Sequence, residues 1–308
     1  MNNYRSILVG VDFSPASRHA LKTAIRLGAK FNIPITALHV MDPALAGEIK
    51  AAHGFSHDDL FEHFFKSLEI FMEQADLNPH QVRFELEVGD PFLGIVGSCR
   101  RNGSDLLIMG THGSEHGSNQ VGTFAGMCIR KAPADVLLVR ENTWPTFDRV
   151  LACVDYSATA AKALRAARMV AEADGSTMEC FYAFRSVSAM SLEYRGFSPA
   201  LAQSDSTMMD GWKQELATFV SPIMEATKLD WKATVLECSN VRDAIMEQIR
   251  ISKTDLVVMG TRGKTDLRSV FMGTTAEKVI TRASCSLLAV KPENFVCPVD
   301  DLPINLSV

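Results

Sequence analysis

The sequence predicts an α/β protein of two tandem domains, each an open five-stranded parallel sheet flanked by helices. Three observations carry this prediction. With 308 residues, 47% of them apolar and 22% charged, the chain suits two globular domains of about 150 residues better than one. Its first half returns in its second: Asp12 falls on Asp155, Ser14 on Ser157 and Leu21 on Leu164, while GSDLLIMGTHG at 103–113 matches KTDLVVMGTRG at 253–263. In both copies, short apolar runs alternate with segments of helical periodicity.

The elements follow in order. The first strand is SILVGVD, matched by RVLACVD. Such runs are buried on both faces in a parallel sheet. Each ends in an aspartate, and Ser14 or Ser157 just beyond can cap the helix that follows. That helix shows in the stripe of Ala20, Ala24, Leu27 and Phe31, and again in Ala163, Ala167 and Val170. PITALHV or MECFYAF is the second strand and leads into a long helical stretch, roughly 44–77 or 198–227. VRFELEV or WKATVLE is the third strand, and a helix separates it from the fourth, DLLIMG or DLVVMG. A glycine loop, a helix and a last strand, DVLLV or SLLAV, complete each copy. The domains are therefore 1–141 and 149–292, with a linker at 142–148 around Pro145 and a tail at 293–308.

Ligands of open parallel sheets gather beyond the carboxyl ends of the strands, where strand order switches. Asp12 and Gly110 close the first and fourth strands of the first half, as Asp155 and Gly260 do in the second. GTRGKTDLRSVFMGTT, residues 260–275, resembles a P-loop but is too short: only two residues separate Gly260 from Gly263-Lys264-Thr265, where a P-loop has four. Gly260 and Gly263 can still bring backbone N–H groups close to an anion, and Gly273-Thr274 opens a helix whose N-terminus favours negative charge.

Both halves resemble domains of the universal stress protein family, over nearly all of residues 4–291. The resemblance rests on VDFS and VDYS, on ALHV closing the second strand, and on G-x2-G-x9-G-[ST], complete in the second half as Gly260, Gly263, Gly273 and Thr274. It implies a Rossmann-like fold of the adenine nucleotide alpha hydrolase type and a bound adenine nucleotide (ATP, ADP or AMP), with or without magnesium. By position, the second site would use Asp155, Ser157, Ala183, Gly260, Arg262, Gly263, Gly273 and Thr274. A weaker first site would use Asp12, Val40, Gly110, Gly113, Gly122 and Thr123. There the loop departs from the pattern, with eight residues between Gly113 and Gly122 that include Glu115 and no lysine or arginine. Repulsion and altered geometry should weaken phosphate binding. Since single-domain relatives pair through their last strands, the halves are expected to form a pseudo-twofold intramolecular dimer, with a further homodimer left open.

No Walker lysine, H-E-x-x-H or G-x-S-x-G is present, so no dedicated enzyme is expected and ATP hydrolysis should be weak at most. The expected function is a nucleotide-dependent stress-response switch read by a protein partner. The alternative lies in the first half, which holds all eight histidines. His53, His57 and His63, or His112 and His116 beside the glycine loop, could ligate zinc, although their spacing matches no standard site. The aromatic run from Phe55 to Phe71 could likewise line a groove for an apolar or lipid ligand. A net charge of -5 argues against nucleic acid, seven scattered cysteines indicate reduced thiols, and no apolar run suggests a signal peptide or membrane span, so a cytoplasmic location is expected.

Overall fold

The computed structural model describes residues 4–111, 121–141, 146–185, 199–263 and 272–299, without the side chains of 199–207. Two compact units emerge: one runs to Thr146 and resumes from Phe295, and the other is Phe147–Asn294. Arg100 Nη2 donates to the Val299 carbonyl at 3.3 Å, within the first unit.

In the first unit, β1 (Ile7–Gly10), α1 (Pro15–Phe31), β2 (Ile35–Met41), α2 (Pro43–His53), α3 (His57–Glu73), β3 (Arg83–Val88), α4 (Pro91–Asn102), β4 (Leu106–Gly110), α5 (Thr123–Lys131) and β5 (Asp135–Val139) follow one another. The strands lie side by side in the order β3-β2-β1-β4-β5. Every pairing is parallel, with Ile7 opposite Ile35 on one side and Leu106 on the other. The second unit has β6 (Arg149–Cys153), α6 (Ala158–Asp174), β7 (Thr177–Phe184), α7 (Pro199–Met224), β8 (Trp231–Glu237), α8 (Val241–Ile251), β9 (Leu256–Gly260), α9 (Thr274–Arg282) and β10 (Ser286–Val290). Its order, β8-β7-β6-β9-β10, is the same pattern, again all parallel. Strand order therefore switches beside β1 and β4 in one unit and beside β6 and β9 in the other.

The cores sit where the apolar periodicity puts them. Ala20, Ala24 and Leu27 of α1 are buried, as are Ala163, Ala167 and Val170 of α6. The long helical stretch expected over 44–77 differs from expectation: it is two helices. Gly54 ends α2 in the left-handed region at φ 69°, which glycine adopts without steric cost. Ser56 and Asp59 then start α3 with a reciprocal capping box. Leu60, Leu68, Phe71 and Met72 of α3 are buried, while Phe61 and Phe65 lie against Phe84 of β3, 5.6 and 6.1 Å between ring centroids. Among the described residues, no helix is long and apolar enough to cross a membrane.

Each unit also encloses a carboxylate between its outer strands and the helix beside them, buried in the second unit and partly so in the first, and supplies it from a different strand. In the first unit Glu85 of β3 accepts from Ser98 Oγ at 2.7 Å and Asn102 Nδ2 at 3.0 Å, with the charges of Arg83 and Arg101 nearby. In the second, Glu179 of β7 accepts from Thr234 Oγ1 at 2.6 Å and Gln248 Nε2 at 2.9 Å, and pairs with Lys232 at 3.3 Å. Strand register makes Thr36 the counterpart of Glu179, and Glu85 that of Thr234. Threonine and glutamate have changed places. In both units the enclosed charge is hydrogen-bonded and paired, which offsets the cost of removing it from water.

Candidate functional site

The rim begins at the close of the first strand. Asp12 Oδ1 accepts from Ser14 N at 3.0 Å and Ser14 Oγ at 2.5 Å, and Asp155 Oδ1 does the same with Ser157, at 3.0 and 2.6 Å. Each serine then accepts from the third helical amide, Ser17 N or Ala160 N. The turn forces the intervening residue into the left-handed region, Phe13 at φ 62° and Tyr156 at φ 61°. Bulky residues adopt that conformation only when their surroundings compel it. Here rings supply the compulsion: Phe13 packs on His39 and Phe71 at 4.9 and 5.6 Å, and Tyr156 on Tyr182 and Phe219 at 4.6 and 5.4 Å. One carboxylate oxygen is thereby spent on holding the aspartate in place.

In the second unit Asp155, Ala183, Gly260, Arg262, Gly263, Gly273 and Thr274 line one cavity of about 240 Å³, joined by Cys153, Val241, Ile245 and Thr275. Ser157 does not line it; its hydroxyl is committed to the turn. Burial, then neighbouring Cys285, Asp155 and Glu179, push the Cys153 thiol up to about 12, so it stays protonated. At Gly263 a Cβ would come within 2.5 Å of Asp155 Oδ2, so this glycine is required for the loop to lie against the carboxylate. Gly273 differs. Its φ is -62°, open to any residue, and among the described residues a Cβ would meet nothing nearer than the Thr261 carbonyl at 3.6 Å, an ordinary contact. Neither backbone conformation nor a described neighbour demands glycine there, and what remains is the mild preference for glycine over alanine at a helix N-cap. Gly273 N donates to that carbonyl at 2.9 Å, and α9 starts with no side-chain cap on its first amides. Helix amides left in this state, with the dipole behind them, form an anion site.

The first unit brings together Asp12, Val40, Gly110 and Gly122 in a cavity of about 440 Å³, with His39, Pro91, Ile95, Met109, Thr111 and Phe124. Thr123, the first residue of the likewise uncapped α5, is exposed beside it and is not among the lining residues. Gly113, His112 and His116 lie outside the described residues, as do Lys264 and Arg268 of the second loop. His53, His57 and His63 are not gathered: among the described residues, no three His, Cys, Asp or Glu side chains converge on a point where a metal could sit. His53 and His63 instead lie against Phe55, 5.3 and 6.0 Å between ring centroids. The sequence reading missed His39, Phe124 and Thr275 as lining residues. Aligning GTF at 122–124 with GTT at 273–275 would have shown the last two.

The family model described as the universal stress protein family matches residues 3–140 and again 146–291. The chain belongs to the universal stress protein family, as a tandem member. It is 22% identical over 320 residues to universal stress protein E of Photorhabdus laumondii, covering 97% of this chain and 98% of the relative. It is 23% identical over 315 residues to the homologous protein of Haemophilus influenzae, covering 94% and 98%. Among solved structures, a functionally unknown protein of Pseudomonas aeruginosa superposes with a TM-score of 0.68 at 17% identity, over 94% of this chain and 93% of that one. A universal stress protein of Archaeoglobus fulgidus gives 0.60 at 19%, over 94% and 98%. At such identities the likeness to the two structures is one of fold.

Proposed function

We propose that the second unit binds an adenine nucleotide, with any magnesium arriving on its phosphates, and that occupancy acts as a stress-response switch read by a protein partner in the cytoplasm. The observation that carries this reading is Gly273: a glycine that neither its φ nor any described neighbour requires, at the mouth of a helix with no side-chain cap, in one cavity with Asp155 and Arg262. An approaching phosphate is the simplest reason to keep a side chain away from that position. Phosphates would lie on the amides opening α9, with Arg262 contributing charge, and the base would lie toward Asp155 and the main chain of Ala183. No paired nucleophile and base line the cavity among the described residues, so hydrolysis should be slow.

The test begins with untagged protein purified without added nucleotide, denatured, and its released small molecules identified by chromatography and mass spectrometry. Titration calorimetry with ATP follows, using wild type, Gly273→Glu and the milder Gly273→Ala. Adenine nucleotide released or taken up at about one per chain, and lost in Gly273→Glu, supports the proposal. No release and no uptake by folded protein overturns it.

A further inference from the structure

The first cavity does not repeat the second. Leu38, Val40, Pro91, Ile95 and Met109 give it largely apolar walls, and Phe124 occupies the helix-start position that Thr275 holds in the second unit. Among its described lining residues Asp12 is the one charged side chain, whereas Arg262 accompanies Asp155 in the other cavity. His39 brings no positive charge. Its Nδ1 lies 2.7 Å from the Val11 carbonyl, which makes that nitrogen the donor, and burial lowers its pKa against the opposing effects of that bond and of Asp12. The imidazole is then neutral at pH 7. An anion entering here would meet the uncapped amides of α5, but it would lose its water beside a carboxylate and an apolar wall, with no described cation to add to those amides as Arg262 would in the second unit. An apolar molecule would gain from the same walls. Ser14 occupies Asp12 Oδ1, and the other oxygen has no hydrogen-bond partner among the described residues, so it can accept from a ligand.

We propose that the first cavity binds an uncharged, largely apolar small molecule that donates a hydrogen bond to Asp12, and that it rejects anions, nucleotides included. The two units of the chain thus bind different chemical classes. This inference does not depend on nucleotide binding in the second unit, and its probe is different.

The experiment titrates the full chain with N-phenyl-1-naphthylamine, a neutral apolar amine that fluoresces when removed from water. Saturable binding at about one probe per chain is expected. Phe124→Asp should weaken it about tenfold by placing a second carboxylate at an apolar wall. The half-exposed Phe124 sits near a helix start, where aspartate is well tolerated. Phe124→Thr, which installs the second unit's residue, should weaken binding several-fold and guards against misfolding of the first variant. Thr275→Asp should leave the probe unaffected, and saturating ATP should not displace it. Displacement by ATP, equal loss in the Phe124 and Thr275 variants, no change in either Phe124 variant, or no saturable binding would each overturn the proposal.

Discussion

At the close of the first strand the two units are nearly superimposable in their chemistry: Asp12 and Asp155 are pinned by the same two bonds from a serine, and Phe13 and Tyr156 carry the same left-handed backbone. Further round the rim they part: among the described lining residues Phe124 stands against Thr275, and an arginine lines the second cavity but not the first. Hydrogen bonds that close a turn constrain the chain whatever the cavity holds, so both copies keep them. Side chains that face the cavity are free of that constraint, and there the copies differ.

The largest expected effect falls on the second rim. Gly263→Val must displace either the loop or the Asp155 carboxylate, since even a Cβ would come within 2.5 Å of Oδ2. Losing that alignment should weaken ATP on the order of a hundredfold by calorimetry. Gly273→Ala should weaken ATP about tenfold while costing no more than about 1 kcal/mol of stability, the preference for glycine over alanine at an N-cap, because no described neighbour crowds the new methyl group. A large stability loss in Gly273→Ala would mean that the fold, after all, demands the glycine.

Stability should separate the fourth strands next. A Cβ at Gly110 would lie 2.6 Å from Ala16 Cβ and 2.9 Å from its carbonyl carbon, so α1 itself would have to move. At Gly260 the nearest atom, 2.9 Å away, is the Thr159 methyl, the end of a side chain. Gly110→Ala is expected to cost about 2 kcal/mol and Gly260→Ala about 1 kcal/mol, measured by hydrogen exchange of β4 and β9 under mild denaturant. The reverse order would show α6 to be the less yielding neighbour.

Acid should also bear on the first unit through Glu85. Burial raises its pKa, but hydrogen bonds from Ser98 and Asn102 and the charges of Arg101 and Arg83 outweigh that and leave it below the ordinary value. A depressed carboxylate contributes stability that is fully present above its unfolded pKa, about 4.3, and lost as pH falls through the lower folded value. Glu85→Gln should flatten that part of the acid-unfolding curve of β3 and α4; an unchanged curve would remove Glu85 from the acid response. The smallest effect is one of equality. Ser14→Ala and Ser157→Ala should each cost about 1 kcal/mol by loss of the same helix cap. Unequal costs would break the likeness of the two turns.

Much of this was legible in the sequence. Strands such as DVLLV and WKATVLE were readable to the residue, because apolar runs bounded by turn residues leave little freedom. The glycines at the rim were readable from their spacing, and Asp12 and Asp155 from their place at a strand end. The break at Gly54 was not, since a lone glycine in a helical pattern either is tolerated or ends the helix, and the capping box that decided it spans Ser56 and Asp59. Neither was the apolar character of the first cavity: Val40 lies near the end of β2, Pro91 and Ile95 belong to α4 and Met109 to β4, and each reads locally as ordinary core.

The exchanged glutamate and threonine limit how freely parts can be traded between the copies. Grafting β2 into the place of β7 would put Thr36 near Thr234 and leave Gln248 without its acceptor. The reciprocal graft would set Glu179 near Glu85, two carboxylates in one partly enclosed space, whose repulsion would raise the pKa of one of them. Related by descent and alike in outline, the two sheets are no longer interchangeable modules. Strand shuffling between them should succeed only when β2 travels with β3, and β7 with β8.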